Sequence, residues 1–137
     1  MRQLAPGEPN PPIEVDPGKL FVPTDLSVSP GERYGFKAEG KWRDLFRKSG
    51  AEGWGGGWLT RFARVPGQPF FRLCGAVGRD DESAFAVDLT HPWTVPDAVS
   101  TSSDRQLYLF ANDLCFMYGN NHAIPDDPLR VTITRLA

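Results

Sequence analysis

Apolar residues in this chain recur at every second position in short runs, and glycine or proline separates one run from the next. Tyr34, Phe36 and Ala38 alternate with Arg33, Gly35 and Lys37. Phe71, Leu73, Gly75 and Val77 repeat the pattern, as do Phe85, Val87 and Leu89. Leu129, Val131 and Ile133 alternate with Arg130, Thr132 and Thr134, giving a final half-buried strand rich in β-branched residues. Leu107 to Ala111 is apolar throughout, which suits a central strand covered on both faces. Ser29-Pro30-Gly31-Glu32 is a strong turn signal between two such runs. Only Trp42 to Arg47 has the spacing of a single helical turn, and Gly50, Gly53 and Gly55 to Gly57 stop it. A period of two with frequent breaks predicts an all-β sandwich or jelly roll.

At 137 residues the chain has the length of one domain and can bury a core without cross-links. Five of its thirteen prolines (Pro6, Pro9, Pro11, Pro12 and Pro17) precede residue 19. Proline fixes φ and removes a donor, so residues 1–19 read as an extended arm lying along the body, with a sandwich over 20–137. The net charge is −2 and the basic residues are scattered, which argues against a nucleic-acid partner. No apolar run follows Met1, so no classical signal peptide is read, and no run approaches a membrane span. The expectation is a soluble protein, either cytoplasmic or exported by a non-classical route. Cys74 and Cys115 each sit in an apolar stretch and read as small buried hydrophobes, with one disulfide between them left open.

The chemistry-bearing segment runs from Leu107 to Asn121. An apolar strand leads directly into Asn112-Asp113, and the loop returns through Tyr118-Gly119-Asn120-Asn121. Three amides and a carboxylate at one strand end are hard oxygen donors of the kind Ca²⁺ takes. The same residues also build turns, because Asn, Asp and Gly tolerate left-handed backbone and cap it locally. On spacing alone, the turn reading accounts for them better.

Asn112-Asp113 followed by Tyr118-Gly119-Asn120-Asn121 and a last strand resembles the C-terminal loop of the LecA (PA-IL-type) bacterial galactose lectins. Ser29-Pro30-Gly31-Glu32, Ala38-Glu39-Gly40-Lys41-Trp42 and Gly53-Trp54-Gly55 follow the same family in outline over about residues 20 to 135. The resemblance implies a galactose-binding-domain-like jelly-roll β-sandwich. It also implies side-chain calcium ligands at Asp113, Asn120 and Asn121, with backbone carbonyls from Met117 and Leu45. In such a site, vicinal sugar hydroxyls replace water on the ion, and Asp113, Asn120 and Asn121 hydrogen-bond to them. Two features depart from the family pattern. His122-Ala-Ile-Pro-Asp-Asp-Pro128 replaces a short link, and the family's sugar-contacting His and Gln pair has no evident counterpart among Trp58 to Pro69, which holds Gln68 but no His.

Other candidates are weaker. Asp44 could meet metal or a sugar hydroxyl, although a surface pair with Arg43 is the commoner arrangement. Trp54 and Trp58 could offer a stacking platform or could anchor a glycine-rich loop. Asp80, Asp81 and Glu82 read as a solvated turn. No serine elbow and no paired-histidine metal motif is present. The expected function is calcium-dependent binding of a galactoside-like carbohydrate without catalysis, with assembly into a homo-oligomer left open. The alternatives are a protein-interaction module with a structural or vestigial calcium site, and a glycan hydrolase.

Overall fold

The computed structural model describes all residues except Leu45, Phe46, Gly56 and Phe116, and leaves the side chains of Asp44 and Arg47 undescribed. Among the described residues twelve strands follow one another: β1 (Ile13–Glu14), β2 (Val22–Ser27), β3 (Arg33–Glu39), β4 (Trp42–Asp44), β5 (Arg47–Ser49), β6 (Glu52–Trp54), β7 (Phe70–Val77), β8 (Phe85–Ala86), β9 (Trp93–Thr94), β10 (Gln106–Ala111), β11 (Asn121–Ala123) and β12 (Arg130–Arg135). They form three antiparallel sheets. One runs β1-β12-β3-β9, the second runs β2-β10-β7-β6 with β8 also on β7, and the third runs β11-β4-β5. The protein is an all-β sandwich. Among the described residues, no helix is long and apolar enough to cross a membrane.

The alternation in the sequence decides which face each strand buries. Val131 and Ile133 of β12 and Tyr34 and Phe36 of β3 point inward, opposite Leu107 and Leu109 of β10 and Leu73 and Val77 of β7. Burying each Val, Ile, Leu or Phe side chain contributes about 1.5–3 kcal/mol. Strand β10 lies between β2 and β7, and its outward Phe110 joins Cys74 and Ala76 in a second apolar cluster with Phe21 and Val65. The unbroken apolar run at 107–111 is thus covered on both faces, as its composition predicts.

Three local expectations need correction. The hint of a helical turn at Trp42 to Arg47 is overruled: Trp42–Asp44 and Arg47–Ser49 are strands paired with each other, and Asn121–Ala123 pairs with the first. Trp42 is fully buried edge-on against Phe71, with centroids 5.8 Å apart, so its burial fixes the strand face. The run Phe85, Val87, Leu89 keeps strand pairing only at Phe85–Ala86, and Leu89 is exposed. Cys115 is exposed because it lies in the turn after β10 rather than in a strand, while Cys74 is buried in β7; both thiols are free. Burial pushes the Cys74 thiol up to about 12, against smaller opposing effects of Arg72 and Arg64. Native protein at pH 8 should therefore react with Ellman's reagent at one thiol per chain, with the second released only by denaturant. Two fast-reacting thiols would contradict the burial of Cys74.

The N-terminal segment lies along the sandwich and is tied to it intermittently. Arg2 bridges Leu26, Gly7 N–H donates to the Arg135 carbonyl, Asn10 N–H to Ile133, and Val15 N–H to Leu129. The donors are the non-proline residues, which explains why the pairing is broken rather than continuous. Leu4 and Val15 from this segment are buried in the main core. Gly40 makes the β3–β4 turn: its φ is +92°, and a Cβ there would lie 2.1 Å from the Pro128 carbonyl oxygen. Only glycine allows the 122–128 segment to pack this closely.

Candidate functional site

Strand β10 ends at Ala111, and the next residues do two different jobs. Asn112 is fully buried. Its Nδ2 donates to the carbonyls of Val65, Gln68 and Pro69 at 3.1–3.2 Å, and its Oδ1 accepts from Val65 N–H at 2.9 Å. This amide is consumed in holding the 65–69 loop, so it leaves the cluster of oxygen donors read from the sequence. Asp113 is 6% exposed, with Oδ1 accepting from Leu114 N–H at 2.7 Å. Its main-chain carbonyl accepts from Arg64 N–H at 3.1 Å.

The returning loop is built on Tyr118. Its buried ring sits in a 3-10 turn over Tyr118–Asn120, and its hydroxyl donates to the Ala111 carbonyl. Burial raises the Tyr118 pKa above its ordinary value, although Arg64 beside the hydroxyl opposes the shift. The phenol stays neutral and keeps its donor. The turn also engages the Met117 carbonyl, which accepts from Asn120 N–H at 3.2 Å and retains a second lone pair. Asn120 is half-buried.

Asn121 is 4% exposed and starts β11, where its backbone pairs with Asp44 of β4. Its Nδ2 donates to the Pro17 carbonyl at 2.9 Å, while its Oδ1 is buried with no hydrogen-bond partner among the described residues. Thus β4 and β11 bring the backbones of Asp44 and Asn121 together from opposite halves of the chain. The Asp44 side chain and Leu45, expected as ligands from the β4 side, lie outside what is described. Trp54 is half-buried in β6 and packs on Phe70 with centroids 5.4 Å apart. Trp58 is 69% exposed and shares a 3-10 helix (Gly57–Phe62) with exposed Leu59 and Phe62. Of the two tryptophans, the one that offers an open ring is therefore Trp58.

Two contributors carry no signal in the sequence. Arg64 has a side chain only 3% exposed, and its guanidinium lies 3.7 Å from the Phe110 ring centroid and 4.6 Å from that of Phe21. It donates to the Leu20 carbonyl at 2.6 Å, to the Tyr118 hydroxyl at 2.9 Å and to Asp81 at 2.9 Å. Burial works against its charge, but Asp81 and Tyr118 outweigh that and raise its pKa. Asp81, read as part of a solvated turn, is thus the counter-ion of a buried arginine. The second contributor is Pro17, reached only because the N-terminal arm follows β12 to this end of the sandwich.

The expected donors on the segment that follows β10 are one carboxylate with amide and carbonyl oxygens. Among the described residues, no three His, Cys, Asp or Glu side chains gather into a metal site. Oxygen donors with little fixed charge, one of them a buried amide oxygen lacking a donor, fit a hard cation such as Ca²⁺ and no soft metal. A separate cleft of about 560 Å³ opens at the Val77 end of β7, lined by Phe85, Trp93, Val99, Asp80 and Glu82. It contains none of the expected ligands.

No protein-family model matches the chain. No curated protein matches it either. Among solved structures, it is similar to the EclA N-terminal domain, described as a PllA-like lectin. The two share 20% sequence identity with a TM-score of 0.59, over 90% of this chain and 97% of that one. The likeness lies in the fold.

Proposed function

We propose that this protein is a calcium-dependent carbohydrate-binding protein of lectin type, acting by binding rather than catalysis. The observation that carries the reading is the buried Oδ1 of Asn121, with no hydrogen-bond partner among the described residues, on the loop that leaves β10 through buried Asp113. The structural likeness to a lectin domain supports the same reading. Asp113, Asn120 and Asn121 would hold the ion by their side chains, and Met117 and Leu45 by carbonyls. The ion would supply a Lewis-acidic centre on which a vicinal diol replaces water. Asp113 would then accept a hydrogen bond from a sugar hydroxyl, and Asn120 and Asn121 would orient the ring.

With so few fixed charges, affinity for the ion is moderate and sensitive to what completes its sphere. The sugar preference proposed is galactose-like, following the Asp113 to Asn121 motif. Thermal unfolding should be recorded with chelator, with millimolar calcium, and with calcium plus a panel of galactosides and other monosaccharides. A ligand binding only native protein raises stability by RT ln(1 + [L]/Kd), about 2.7 kcal/mol at a hundredfold excess. The expected result is a calcium shift that one class of sugar increases further. A calcium shift with no response to any sugar would leave a purely structural ion, and no calcium shift would refute the metal.

A further inference from the structure

The N-terminal arm ends its course against the candidate site. Val15 N–H donates to the Leu129 carbonyl at 2.9 Å, so the next residues start from an anchored position. Asp16 Oδ1 then accepts from Gly18 N–H at 2.9 Å, closing a tight turn over Pro17. That turn offers the Pro17 carbonyl to Asn121 Nδ2 at 2.9 Å.

A side-chain amide carries its donor and its acceptor on opposite arms. Holding Nδ2 against the arm therefore settles where Oδ1 points. It points to a place where, among the described residues, nothing donates to it, although Asn121 is 4% exposed. Buried acceptors are almost always satisfied, so an orientation enforced in this way implies a missing donor or cation on the Oδ1 side. The seating of the arm is close. A Cβ on Gly18 would lie 3.1 Å from the Asn121 carbonyl oxygen, 3.2 Å from Asp16 Oδ1 and 3.8 Å from the Tyr118 carbonyl oxygen.

We propose that the Asp16-Pro17-Gly18 turn is a wall of the ligand site, and that it positions Asn121 so that its amide oxygen faces the bound cation. This rests on the calcium reading above. Pro17 and Gly18 are positioning residues, acting through Asn121 and not by touching the ion. Affinity for calcium then depends on an arm that precedes the first long strand by sequence and reaches the site only by folding along β12.

The test is calorimetric titration of calcium into the full chain and into its Gly18→Val, Gly18→Ala and Lys19→Ala variants, with thermal midpoints in chelator beside each. Gly18→Val should raise Kd by about tenfold or more, the equivalent of about 1.4 kcal/mol, and Gly18→Ala by less. Lys19→Ala, at an exposed neighbouring position, should bind as the unmodified chain does. Midpoints in chelator, which report the metal-free fold, should stay close to that of the unmodified chain for Gly18→Ala and Lys19→Ala. If Gly18→Val does not fold, Gly18→Ala decides. Calcium binding by the unmodified chain with an unchanged Kd in the glycine variants overturns the inference and makes the arm mere packing. No calcium binding by the unmodified chain overturns the calcium reading itself and this inference with it.

Discussion

Asn112→Ala should lower the unfolding free energy by about 2–4 kcal/mol, a larger effect than at any other polar residue of the candidate loop. The number follows from what the side chain holds. One fully buried amide accepts from Val65 N–H and donates to the carbonyls of Val65, Gln68 and Pro69. Each such bond contributes about 1 kcal/mol net, and the groups left behind are half-buried, so water restores part of the loss. At this chain length the thermal midpoint should fall by roughly 10 °C. Urea unfolding with an unchanged slope would show that stability, not compactness, has moved. Asn112→Asp is the informative companion. It keeps the acceptor for Val65 N–H but faces a charge toward three carbonyl oxygens, and it should be at least as destabilising as alanine. A loss below about 1 kcal/mol in both variants would mean the 65–69 loop is held by other contacts, chiefly those of Arg64.

That prediction separates two asparagines that the sequence presents alike. Asn112 and Asn121 both flank turns in one motif, yet one amide is spent on backbone groups and the other keeps a bare oxygen. The difference is made by partners 43 to 104 residues away, which no local pattern encodes. What was legible is what periodicity controls. The buried faces of β3 and β12 follow from alternation at Tyr34 and Val131, and the covering of β10 on both faces follows from its unbroken apolar run. The hint of helix at Trp42 failed because pairing with β11, some eighty positions on, outweighs a local spacing of one turn. Arg64 was invisible for a related reason. Arginine is read as surface unless its counter-charge and acceptors are known, and here they come from Leu20, Asp81 and Tyr118. Cys115 was misplaced because an apolar neighbourhood in sequence became an exposed turn in space.

At Asp113 the expected result is complete loss of the stabilisation that calcium gives. Asp113 is the carboxylate of the expected ligand set whose placement is described, and its burial means that solvent screens its charge little. At calcium a hundredfold above Kd, the unmodified chain gains about 2.7 kcal/mol, which the variants forfeit. Two substitutions divide charge from geometry. Asp113→Asn retains an oxygen to accept from Leu114 N–H, so in chelator its midpoint should lie within about 2 °C of the unmodified chain. Asp113→Ala also loses that bond and should drop by at least about 1 kcal/mol even without metal. In calcium both should stay where chelator leaves them, because amide and carbonyl oxygens without a carboxylate hold a divalent cation weakly. If the unmodified chain binds calcium and Asp113→Asn binds it equally well, the ion sits elsewhere in the molecule. The buried oxygen of Asn121 would then need a different donor, and the hydroxyl of a directly bound sugar would be the first to test.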